Sequence, residues 1–196
     1  MSSHLIQGKN LLLLESLINY YRKNYNVFNF IVTNKNNLSL RILDWLVTNY
    51  AKKYNIVYKI KRNNQEINFN IYIDYKNQLK AYSKKLFDPF CRRDRILINL
   101  KTLNYKIISN DIKTINFNTQ TELISTVGQL NFFRWFIEND IYNYAITHIE
   151  KIDMDMTETL KKTKSNKIEN NKRSELSESA NKFVCKLQTS TVIRFD

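Results

Sequence analysis

The sequence predicts an α+β fold: a mostly antiparallel sheet with packed helices, one long helix in the C-terminal half, and a flexible basic tail. Three observations carry this. Ile67, Phe69, Ile71 and Ile73 alternate strictly with Asn68, Asn70, Tyr72 and Asp74, the period-2 pattern of a half-buried strand. Leu11, Leu12, Leu14, Leu17, Ile18 and Tyr21 recur at helical spacing within residues 8–26. Leu123, Val127, Leu130, Phe133, Ile137, Ile141 and Tyr144 run down one side of a second, longer helix.

Taken in order, the first helix is followed by VFNFIVTN, 27–34, whose β-branched and aromatic residues suit a buried strand. LSLRILDWLVTNYAKKY then places Leu40, Leu43, Val47 and Tyr54 on one helical face, with Ser39 as N-cap. NIVYKIK and EINFNIYID form a hairpin across RNNQ. RILINL, NYKIISN and TINFN supply three more short strands. For the long helix, Thr119 with Glu122 and Thr126 with Gln129 both fit a capping box. Gly128 weakens a helix interior, which favours the later start.

Residues 1–155 are thus expected to form one domain. Residues 156–182, nearly free of large apolar side chains, read as a polar linker or marginal helix. FVCKLQTSTVIRF, within 183–196, reads as a terminal strand returning to the domain.

The chain of 196 residues carries 31 Lys and Arg against 18 Asp and Glu, a net charge of +13, which points to a phosphate-rich partner. Codon composition competes with that reading, because 27 Asn, 23 Ile and 22 Lys all draw on A/T-rich codons. The distribution of charge is more telling: residues 1–121 and 161–196 are basic, whereas 122–160 are acidic. Cys91, Cys185, His4 and His148 offer no paired ligand spacing for structural zinc, so no metal or other cofactor is expected. No apolar run nears the roughly 18 residues of a membrane span, and no secretory cleavage pattern is visible, so no membrane role and a reducing, intracellular setting are expected.

The densest basic stretch is KAYSKKLFDPFCRRDR, 80–95. If a helix runs over 75–85, Lys76, Lys80 and Lys84 fall on one face with Lys85 beside them, and Pro89 stops the helix. Arg92, Arg93 and Arg95 follow, three of only nine arginines in the chain. Guanidinium groups fork phosphates and stack on bases, and the interleaved Tyr75, Tyr82, Phe87 and Phe90 could stack on unpaired bases. The competing reading makes these rings core and the charges solvated, with Asp88 and Asp94 pairing locally.

The expected function is therefore non-catalytic binding of DNA or RNA through Lys76, Lys80, Lys84, Lys85, Arg92, Arg93, Arg95 and Tyr82, with no catalytic residues. A second reading is a structural or assembly role through protein–protein contacts, with Phe132, Arg134 and Trp135 lying off the main helical stripe. A minor third is a metal-dependent nuclease. Asp74 and Lys76 have a D-x-K spacing at the end of a strand, but only Glu66 and Asp44 are at hand as further carboxylates. Two glycines cannot build a phosphate loop, and Cys91 has no visible triad partner.

LDWLVTNYAKK at 43–53, YKNQLKAYSKKLFDPFCRRDRI at 75–96, TVGQLNFFRWFIEN at 126–139 and KRSELSESANK at 172–182 together resemble an uncharacterised family of small basic proteins of large nucleocytoplasmic DNA viruses, of the mimivirus and phycodnavirus kind. The resemblance implies a virally encoded protein acting in the host cytoplasm, a viral factory or the virion, with other viral proteins among its partners. It implies no catalytic mechanism.

Overall fold

The computed structural model describes residues 6, 8–26, 38–62, 64–92, 94–108, 118 and 121–170, the last seven by backbone alone. The strands expected at 27–34, at 114–118 (Asn118 apart) and at 183–196 lie outside the described residues, as do Arg93, Thr119 and Cys185. Chain contacts divide the molecule into two units, Met1–Met156 and Thr157–Asp196.

Helix α1, Lys9–Lys23, forms where the first apolar stripe predicts it and buries Leu14, Leu17, Ile18 and Tyr21. Leu12 is the exception on that stripe: it faces solvent at 66% exposure. α2, Leu40–Trp45, is capped by Ser39, whose hydroxyl accepts from the Ile42 N–H at 3.2 Å. It continues through a π-helical turn at Leu46–Tyr50 into α3, Ala51–Lys53. Tyr54, expected on the buried face, is exposed, while Tyr50 and Ala51 are buried.

β1, Val57–Arg62, pairs antiparallel with β2, Gln65–Asn70, from Val57 opposite Asn70 to Arg62 opposite Gln65. The second strand is shorter than its alternation predicts. Asn70, the last paired residue of the ladder, accepts the Ile73 N–H on its side-chain oxygen at 2.9 Å, starting helix α4, Ile71–Leu86. The apolar pattern changes period there. Ile71 and Tyr75, four apart, are buried, whereas Ile73 is 58% exposed.

β3, Arg95–Asn99, lies between β4, Tyr105–Ile108, and β5, Glu122–Thr126, antiparallel to both. β5 occupies residues that the earlier of the two candidate helix starts, at Thr119, would have placed in the long helix. That helix begins at the favoured later start, as α5, Val127–Glu138, where the Thr126 hydroxyl accepts from the Gln129 N–H at 3.1 Å. It is interrupted at Asn139–Asp140, where Asp140 takes a left-handed conformation, and resumes as α6, Ile141–Thr147, then α7, Ile149–Asn170. Residues 157–170, expected as linker or marginal helix, are therefore helical.

One core cluster joins Leu14, Leu17, Ile18 and Tyr21 of α1 to Ile96 and Ile98 of β3 and Val127 and Leu130 of α5. The Tyr21 hydroxyl pins it, donating to the Leu130 carbonyl at 2.6 Å. A second, aromatic cluster packs Tyr75 of α4 and Phe87 against Phe132, Trp135 and Phe136 of α5, with ring centroids 4.7–6.1 Å apart. α5 is thus buried on more than one side, so Phe132 (0% exposed) and Trp135 (3%) are core residues and present no face to a partner. Arg134 is half-buried and donates to the Asn131 side-chain oxygen at 3.2 Å.

Asp155 ties the start of α7 to the helices at 40–53. Its nearly buried carboxylate accepts from the Trp45 indole at 3.0 Å, the Tyr54 hydroxyl at 3.0 Å and the Lys53 ammonium at 2.5 Å. Burial alone would raise this carboxyl. The bonds from Lys53, Trp45 and Tyr54 outweigh it and hold the group below the ordinary carboxylate range.

Candidate functional site

The basic stretch singled out in the sequence divides into a helix face and a pinned loop. On α4, Ile71 and Tyr75 turn inward while Lys76 and Lys80 are exposed. The only carboxylate in the helix, Asp74, does not share the lysine face: it accepts the Trp135 indole N–H at 2.6 Å. The helix then kinks at Ser83, whose backbone has φ 58 and ψ 167. Lys84 and Lys85 follow the kink and are also exposed. Three ion pairs occur among the described residues, and none involves Lys76, Lys80, Lys84 or Lys85.

The loop after α4 is held by the polar first turns of α5. Asn131 donates its side-chain amide to the Leu86 carbonyl at 3.0 Å, and Gln129 donates to the Pro89 carbonyl at 2.9 Å. The Asp88 backbone N–H reaches the Gly128 carbonyl at 3.3 Å. Gln129 is itself fixed by the Ser125 hydroxyl, which donates to its side-chain oxygen at 2.8 Å. Buried polar groups at these positions are therefore satisfied by the loop backbone, which makes loop and helix one cooperative unit.

Arg92 emerges from this loop in a fixed pose. Its Nε and Nη2 donate to the two Asp88 carboxylate oxygens at 3.0 and 2.8 Å, and its guanidinium carbon lies 4.7 Å from the centre of the Phe90 ring. The Arg92 side chain remains 66% exposed, while that of Asp88 is 13% exposed. Behind the pair lies the half-buried Asp44 of α2. Burial raises its carboxyl, the Asp88 charge adds to this, and Arg92 and Lys84 partly offset both.

The remaining expected contacts are placed differently. Arg95 sits half-buried in β3, its guanidinium close enough to the Cys91 thiol to interact with it. Burial pushes that thiol up, against the pull of Arg95, which disfavours the reactive thiolate. Tyr75 and Phe87 are core, with burial and then Asp44 and Asp88 pushing the Tyr75 hydroxyl up to about 12. Tyr82 is half-buried and lies parallel to Phe87 at 6.4 Å.

The D-x-K pair does not end a strand, since Asp74 and Lys76 both lie in α4. Glu66 faces Lys59 at 3.3 Å on the exposed side of the hairpin. Among the described residues no group of three or more His, Cys, Asp or Glu side chains is close enough to share a metal ion, and no helix is long and apolar enough to cross a membrane.

Two features escaped sequence reasoning. Lys52 of α3 places its ammonium 5.8 Å from the centre of the Tyr72 ring, extending the basic side of α4 with a residue from another element. The clamp formed by Gly128, Gln129 and Asn131 was also missed, although three small or polar residues at the head of an aromatic helix were its visible sign.

No solved structure matches the chain. It is 40% identical over 149 residues to "Uncharacterized protein L507" of Acanthamoeba polyphaga mimivirus, an alignment that takes in 76% of this chain and 52% of the viral protein. The chain therefore spans about half the length of that relative. A family model matches residues 6–192, nearly the whole sequence. The chain belongs to the Family of unknown function (DUF7197), a family with a giant-virus relative.

Proposed function

We propose that the chain is a non-catalytic nucleic-acid-binding protein that holds a phosphate backbone against the lysines of α4 on both sides of its kink. One observation carries this reading. Lys76, Lys80, Lys84 and Lys85 are exposed and without an ion-pair partner among the described residues, while the one carboxylate of the helix is turned inward onto Trp135. Composition alone scatters lysines over a surface. It does not sort the acidic side chain of one helix to the opposite side. The giant-virus kinship supports the host cytoplasm, a viral factory or the virion as the place of action.

A docking role built on Phe132 and Trp135 has little support, because both rings are enclosed within this chain. The test is fluorescence anisotropy with labelled DNA and RNA oligonucleotides across a salt series. Binding should be firm near about 50 mM salt and fall steeply above it, as counterion release requires. No detectable binding to either polymer at low salt would end the proposal.

A further inference from the structure

The pose of Arg92 leaves it only one edge with which to fork a phosphate. One of its two forking edges, Nε with Nη2, is already committed to Asp88. The carboxylate at that edge, with Asp44 behind it, repels a phosphate approaching from the same side. What remains available is the second edge, Nη1 with Nη2, and the flat face of the guanidinium. One face lies over the Phe90 ring, and with the side chain 66% exposed the opposite face is open to solvent.

We propose that Arg92, backed by Phe90 and fixed in its plane by Asp88, is a stacking platform for an unpaired base, and that the nucleic acid lying along α4 is single-stranded. The inference rests on the binding role proposed above and names its substrate class. A guanidinium plane stacks on a base as an aromatic ring does. Bases inside a duplex already stack on one another and offer no free face, whereas a single strand can turn one out.

The surroundings supply what such a site needs. The platform is rigid, because Gln129, Asn131 and Gly128 hold the loop that carries it. Lys84 and Lys85 come just before it in the chain, suited to the phosphates flanking a stacked base. At the far end of the lysine row, half-buried Tyr72 with Lys52 near its ring makes a second pairing of an aromatic with a cation. Alternating cations and stacking surfaces are the usual build of a single-strand site.

The experiment compares a single-stranded oligonucleotide with a hairpin duplex of the same length, each as DNA and as RNA, at one fixed salt concentration. The parent protein should prefer the single strand by about tenfold or more. Arg92→Lys retains the charge and an ion pair with Asp88 but removes the plane. It should weaken single-strand binding about fivefold or more, leave duplex binding unchanged, and keep the same slope of log affinity against log salt. Phe90→Leu, which removes the backing ring, should do likewise, and 2-aminopurine placed within the strand should lose its stacking quench in both variants. Equal affinity for single strand and duplex, or an Arg92→Lys loss shared by both, overturns this inference and leaves the binding role standing. Absence of binding to every oligonucleotide overturns both.

Discussion

The Asp88 backbone N–H donates to the Gly128 carbonyl across 3.3 Å, bringing the loop after α4 so near to α5 that a Cβ on Gly128 would lie 3.1 Å from the Lys85 carbonyl oxygen. The contact is backbone on backbone, with no flexible side chain to give way. The glycine that looks like a weak point in a helix is thus the residue that lets the loop be clamped.

Gly128→Ala should therefore destabilise the protein by about 1 kcal/mol despite alanine's better helix propensity, and Gly128→Val by about 2–3 kcal/mol, in the range of overpacked sites. Urea denaturation checks this: the midpoint should fall with the slope unchanged.

Removing the three-donor acceptor should cost more than an ordinary surface ion pair. Asp155→Asn keeps the shape but weakens the bonds from Trp45, Tyr54 and Lys53, with an expected loss of about 2 kcal/mol at neutral pH. The Asp155 carboxyl is held low in the folded state. Its contribution is present above the ordinary carboxylate value and is lost as pH falls through the lowered one. The gap between parent and variant midpoints should therefore narrow as acid is added below about pH 4.

Asp44 should behave with the opposite sign. Its carboxyl is raised in the fold, so the ionised form is disfavoured at neutral pH and the penalty disappears once both states are protonated. Asp44→Asn is expected to raise the denaturation midpoint at pH 7. That gain should vanish at pH 3, which a pair of melting curves at the two pH values would detect.

Ser83 sits at φ 58 and ψ 167, a conformation costly for any side chain but open to glycine. Ser83→Gly should stabilise the protein by about 1 kcal/mol, less the loss of the Lys85 N–H bond to the serine hydroxyl oxygen at 3.3 Å. Differential scanning calorimetry should show a higher Tm.

For the lysine face, Lys76→Glu with Lys80→Glu should lower nucleic-acid affinity at least tenfold at low salt and flatten the salt dependence by roughly 0.7–0.9 for each phosphate no longer neutralised. The same reversals at Lys161 and Lys162, on α7, should change affinity much less. Equal weakening by both pairs would mean that net charge, not this face, does the binding.

Helix α1, the β1–β2 hairpin, strands β3 and β4, and the Thr126 start of α5 were legible in the sequence, because each shows a local period or cap strong enough to survive packing. The misses share a cause. Ile71 and Ile73 continue a strand's alternation on paper, yet the Asn70 cap and the spacing of Ile71 to Tyr75 already mark a helix. Glu122–Thr126 became a strand by pairing with Arg95–Asn99, a long-range choice that helical spacing cannot reveal. Phe132 and Trp135 looked free because a single stripe describes a helix with one buried side, and α5 has more. In the candidate site, the exposed lysines could be read from spacing. The engagement of Arg92 with Asp88 and Phe90 depends on how the loop folds back, and no periodicity encodes that.

The break at Ser83 has a mechanical consequence. It splits the cationic array into Lys76 with Lys80 on one helical piece and Lys84 with Lys85 beyond the kink, so a polymer touching both pairs must change direction where the helix does. A double helix resists bending over some 150 base pairs, whereas a single strand turns within a few nucleotides. Bending stiffness, read out by one serine, is thus a second filter on what this surface can hold.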